Sequence, residues 1–79
     1  MRTIQLYLLG PHTVEFRFNG IDVPGELVQF MSGPYSLKLL TLRDADGNLS
    51  EFAVIKSAIS GWRVFPTDLG IGAEIVEAC

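Results

Sequence analysis

The 79-residue chain is short of the side chains from which reactive sites are usually built. It has one cysteine, Cys79, so no intrachain disulfide and no cysteine-based metal cluster can form. Cys79 therefore reads as a terminal thiol without a structural duty. His12, the single histidine, follows Pro11 in a turn and has no second histidine or cysteine near it in sequence. A capping or surface role suits it better than metal ligation or base catalysis. Charge is scarce as well, at 19% of residues against about 25% in a typical soluble domain. The basic side chains are the minority, six against nine acidic ones, for a formal net charge of −3. That balance argues against general affinity for nucleic acid, which needs cations to neutralise phosphates. No apolar run approaches the ~20 residues of a membrane-spanning helix. Arg2 and the run Ile4–Leu9, interrupted by Gln5, lack the small-residue cleavage site of a signal peptide. We therefore expect a soluble, cytoplasmic protein.

Motifs that could carry chemistry are equally thin. Asp44, Asp46 and Asn48 have the spacing that opens a calcium loop. Such a loop needs glycine sixth and glutamate twelfth, where this chain has Leu49 and Ile55. A hairpin turn rich in Asp, Gly and Asn is the better reading. Gly70-Ile71-Gly72 lacks the third glycine and the βαβ setting of a dinucleotide site. Serine, histidine and aspartate are all present, but no Gly-x-Ser-x-Gly elbow is. No enzyme activity, no cofactor and no metal are expected.

What the chain does have is apolar surface. Hydrophobic residues make up 48% and the mean hydropathy is +0.32. A domain this small buries only about 60% of the surface its unfolded chain exposes. Some of the remainder should lie against another copy or a partner.

Along the chain, Ile4, Leu6 and Leu8 alternate as in a strand, while Ile4, Leu8 and Leu9 also share a helical stripe. Gly10-Pro11-His12 breaks whichever forms. Asn19-Gly20 is a strong hairpin signal, since a type I′ turn needs φ > 0 at both central residues. It predicts strands over 13–18 and 21–23, with Phe18 facing Ile21, Phe16 facing Val23 and Arg17 facing Asp22. After a bend at Pro24-Gly25 the second strand continues over 26–31; a one-turn helix using Leu27, Phe30 and Met31 is the alternative. Further strands are expected over 35–43, 49–55 and 58–65, with Lys56-Ser57 as a tight corner. A helix from Ser50 is the rival for the fourth. The stretch 67–79, with Leu69, Ile71, Ile75 and Val76, is too apolar for a loose tail and reads as a further strand or a packed helix.

The order Phe16, Phe18, Gly20, Val23, Gly25, Leu27, Phe30 resembles the first signature of the Sm-like (Sm/LSm/Hfq) family. Ile55-Lys56-Ser57-Ala58-Ile59-Ser60 is similar to the second signature of bacterial Hfq, with Ser57 where that group has histidine. Met31 stands where the family carries aspartate. The resemblance spans about residues 13 to 65, and it implies an all-β fold: one small, strongly bent, five-stranded Sm-like barrel with a short N-terminal helix, residues 66–79 forming an extension.

The resemblance also implies a function. Sm-like proteins form rings and bind uridine-rich single-stranded RNA in a central pore without catalysis. Tyr35 would stack on a base, and Lys56 and Ser57 would line the pore. A ring gathers several Lys56 ammonium groups, making a positive pore from an acidic chain. Ala53, Ile55, Ile59 and Trp62 would lie between subunits, the fourth strand of one pairing with the fifth of the next. The alternative from another class is a small oligomeric structural or assembly protein, viral among the options, that uses the same barrel to bind protein.

Overall fold

Period-two alternation decides the first eighteen residues. The computed structural model describes residues 1–79 and places β1 at Arg2–Leu8 and β2 at Thr13–Phe18. The two form an antiparallel hairpin closed by the 9–12 turn, with Ile4 opposite Phe16 and Leu6 opposite Val14. The N-terminal segment is thus a strand, not the helix that the Sm-like resemblance implies. Ile4 and Leu6 are buried on one side of it.

The hairpin expected at Asn19-Gly20 does not form. Gly20 has φ +75°, but no other residue type has positive φ, so Asn19 cannot supply the second half of a type I′ turn. Residues Val23–Ser32 are instead helix α1. Its start is encoded locally: the Gly25 N–H donates to the Asp22 carboxylate at 3.1 Å, Pro24 occupies the first turn, and Glu26 meets the positive end of the helix dipole. Val23, Leu27 and Phe30 fall at i, i+4 and i+7 and are buried as one stripe. Arg17, expected against Asp22, lies 3.5 Å from Asp68 and donates to the Gly72 carbonyl.

The second half follows the alternation more closely. β3 (Leu37–Arg43) and β4 (Leu49–Ile55) pair antiparallel without a register shift, joined by a turn in which the Asp44 carboxylate accepts from Asp46 and Asn48 N–H. A single 3-10 turn, Lys56–Ala58, leads into β5 (Ile59–Phe65), which pairs with β1. The 67–79 stretch ends in β6 (Ala73–Ala78), parallel to β2 and antiparallel to β3.

The result is mostly β: one open, mixed, six-stranded sheet in the order β4-β3-β6-β2-β1-β5, with a single α-helix. The expected five-stranded closed barrel is not what the chain builds, because β6 enters between β2 and β3 and no ladder joins β4 to β5. Those two edges are nevertheless linked through only three residues, a span of at most about 14 Å between Ile55 and Ile59. The sheet must curl until its edges converge at that corner. Its inner face carries Ile4, Leu6, Phe16, Phe18, Leu40, Leu42, Val54, Ile59 and Ile75, and α1 closes this core with its apolar stripe. On the outer face the 66–72 segment crosses Thr3, whose hydroxyl donates to Thr67 O and accepts from Leu69 N, both at 3.0 Å. No helix is long and apolar enough to cross a membrane.

Gly72 is where β6 is admitted to the sheet. It has φ +80°, and a Cβ there would run into the Glu15 carbonyl of β2. Gly47, with φ +83°, has open space around it. Gly72→Ala should therefore cost about 3 kcal/mol or more in urea unfolding, against about 1 kcal/mol for Gly47→Ala. Equal costs would show that β6 is not held this closely.

Candidate functional site

The three residues assigned to RNA contact lie on two segments that a backbone hydrogen bond joins. Helix α1 ends at Gly33, whose N–H donates to Phe30 O, and Pro34 prevents its continuation. The Lys56 backbone N–H donates to Ser36 O at 2.9 Å, docking the β4–β5 corner against this loop. Tyr35 stands out from the loop, 75% exposed, and Ser57 is exposed on the corner beside it. The Lys56 ammonium, however, turns inward. It donates to the Gly33 carbonyl at the negative end of α1 and lies 5.5 Å from the Phe30 ring centre.

Next to this loop a groove of about 300 Å³ runs between α1 and the start of β3, lined by Glu26, Gln29, Phe30, Tyr35, Leu37 and Lys38. Lys38 is buried, and its ammonium donates to the Glu26 carboxylate at 3.1 Å. Cys79, at the same groove, donates its thiol proton to Glu77. That hydrogen bond, with lesser contributions from burial and the Glu77 charge, pushes the thiol pKa up and holds it in the less nucleophilic form. The pair Glu26–Lys38 was not legible from a strand over 26–31. It needs the helix, which turns Glu26 toward β3.

The distribution of cations bears on what this surface can bind. Arg17, Lys38 and Arg43 lie 3.5, 3.1 and 3.8 Å from Asp68, Glu26 and Glu74. Arg2, Lys56 and Arg63 lie over Phe18, Phe30 and Phe65 at 4.9, 5.5 and 4.7 Å. All six lysines and arginines of the chain are thus engaged by its own carboxylates or rings. No group of three histidine, cysteine, aspartate or glutamate side chains is arranged to hold a metal, and His12 is exposed in the β1–β2 turn.

The residues assigned to the subunit interface divide between the two faces. Ala53 and Ile55 are exposed on the outer face of β4. Ile59 is 9% exposed and belongs to the chain's own core, and Trp62 packs against that core from β5. Aspartate at Ile59 would therefore report on folding rather than on assembly.

The two free edges also differ. Five of the seven β4 residues are exposed, against two of seven in β5. β4, Leu-Ser-Glu-Phe-Ala-Val-Ile, has no proline, no basic residue and no register shift, and Glu51 is the one charged side chain that guards it. β5 has a register shift against β1, the exposed Arg63, and Pro66 directly after it. Beside the bare edge, Leu37 stands opposite Ile55 and Leu39 opposite Ala53, with Leu49 at the far end. These three leucines escaped the interface assignment. Leu37 and Leu39 alternate with the buried Lys38 and Leu40 along β3, and the β3–β4 register places them next to Ala53 and Ile55.

Compared with protein-family models, curated proteins and solved structures, the chain matches none.

The buried ammonium gives a direct test of the groove. Glu26→Ala strands Lys38 without its carboxylate and should cost about 2 kcal/mol, whereas Lys38→Met, which removes the charge and keeps the stem, should stay within about 1 kcal/mol. Denaturant unfolding of the two variants measures both, and the reverse ranking would mean that Glu26 does not hold Lys38.

Proposed function

We propose that the protein is a small self-assembling structural protein that performs no catalysis and joins its own copies through the β4 edge and the outer face beside it. The observation that carries this reading is the bare edge of β4, flanked by exposed aliphatic side chains. Leu49, Leu37, Ile55 and Leu39 are 64, 47, 45 and 36% exposed. Together they leave about two whole side chains in water, and covering them is worth about 3–6 kcal/mol per copy. The outward backbone groups along this seven-residue edge strand are a template for another strand.

A second reading is the Sm-like ring with single-stranded RNA in its pore. It is favoured by the exposed Tyr35 on the loop to which the Lys56–Ser57 corner is hydrogen-bonded, and by free edges on both β4 and β5, which a ring joined fourth strand to fifth requires. Against RNA stands the engagement of every cation within the chain. For a phosphate to reach the Lys56 ammonium, it must displace the Gly33 carbonyl.

Native mass spectrometry, alone and with a short oligouridine at moderate salt, separates the two. Self-assembly predicts a discrete oligomer of the 8.7 kDa chain that takes up no oligonucleotide. An oligomer that binds oligouridine, and loses it in Lys56→Ala, would favour the RNA-binding ring. A monomer at high micromolar concentration would contradict both.

A further inference from the structure

We propose that two copies pair antiparallel along β4 about a twofold axis at Phe52, merging two six-stranded sheets into one. This rests on the self-assembly reading and specifies its partner and register.

Strand direction narrows the choices. Around the sheet, β1 is antiparallel to β2, β2 parallel to β6, β6 antiparallel to β3 and β3 antiparallel to β4, while β5 is antiparallel to β1. β4 and β5 therefore run the same way at opposite edges. Joining β4 of one copy to β5 of another antiparallel would continue the apolar inner face of one as the outer face of the other; keeping the faces matched makes that joint parallel. Only an edge paired with itself is antiparallel with matched faces, and of the two edges β5 is the guarded one.

The backbone groups are set for it. The Lys56 N–H donates to Ser36 O, and the Asp44 N–H donates to Asn48 O, so the even-numbered residues of β4 turn their amides toward β3. Leu49, Glu51, Ala53 and Ile55 then direct theirs outward. Four residues in each of two strands, each with one donor and one acceptor, give eight bonds across the joint.

Side chains fix the register. Centred on Phe52, the joint sets Leu49 opposite Ile55 and Glu51 opposite Ala53 on the outer face, with Phe52 opposite Phe52 and Ser50 opposite Val54 on the inner. Centred on residue 51 it would face Glu51 against Glu51, which like charges oppose. Centred on residue 53 it would leave Leu49 without a strand partner. A half-step would exchange the two faces. In the favoured register the outer patch of Leu37, Leu39, Ala53 and Ile55 meets Leu49 of the other copy. Inside, the edge-to-face pair of Phe16 and Phe52, 5.3 Å apart, extends across the axis to a second Phe52.

A charge exchange tests the register, because Glu51 and Ala53 are both exposed and their replacement leaves the core untouched. The wild type should sediment as a dimer, twice the 8.7 kDa chain. Ala53→Glu sets carboxylates against Glu51 at two symmetric positions and should raise the dimer dissociation constant about tenfold or more. Adding Glu51→Lys turns both into opposite-charge pairs and should restore it to within about threefold of wild type. Dissociation unaffected by Ala53→Glu, or not rescued by the second change, overturns the β4 pair. A larger assembly indifferent to both variants keeps self-assembly and overturns this joint, while a monomeric wild type overturns the self-assembly reading itself.

Discussion

The architecture depends on the entry of β6 between β2 and β3. Without it the ladders would form two separate antiparallel units, β2-β1-β5 and β3-β4. β6 joins them by pairing parallel on one side and antiparallel on the other, and Ile75 then sits between Phe18 and Leu42 in the core. The approach is so close beside Glu15 that only glycine fits at residue 72. Because β6 closes the middle, the edges fall to β4 and β5, and the short Lys56–Ala58 turn curls the sheet between them. Edge chemistry, the outer patch and the groove beside α1 all follow from that placement.

The sequence was most legible where pattern and turn chemistry agreed. The strands over 49–55 and 59–65, the Asp44–Asn48 turn and the Lys56 corner are carried by local alternation and by side chains that hydrogen-bond their own backbone. It misled at Asn19-Gly20. There a hairpin dipeptide competed with Asp22, Pro24 and Glu26, a complete set of helix-start signals, and the burial of Val23, Leu27 and Phe30 as one stripe favoured the helix. The apolar spacing from Val23 to Phe30 satisfies a bent strand and a helix alike, so the residues that most resembled the Sm-like signature are those whose structure differs from it. β6 was half legible, since Ile75 and Val76 called for burial but their parallel partner lies nearly sixty residues away. Of the candidate site, Tyr35, Ser57, Ala53 and Ile55 are exposed, while the Lys56 ammonium turns inward to the Gly33 carbonyl. Ile59 was misassigned because an apolar residue looks the same whether it faces its own core or another copy's.

Charge and apolar surface both favour the proposed self-assembly over RNA binding. An acidic chain whose six cations each have an internal partner offers phosphates little, and the groove floor is occupied by a satisfied ion pair. The sheet leaves backbone unpaired at both edges, and the β4 edge has exposed aliphatic side chains beside it. Under the proposed self-assembly, a second strand would take up both the hydrogen-bond capacity and the apolar area exposed on that edge.

Hydrogen exchange resolved to single amides, followed as a function of protein concentration, tests this most directly. Leu49, Glu51, Ala53 and Ile55 should gain protection as concentration rises while the outward amides of β5 do not change. Protection at β4 that is independent of concentration, or that grows equally at β5, would contradict it.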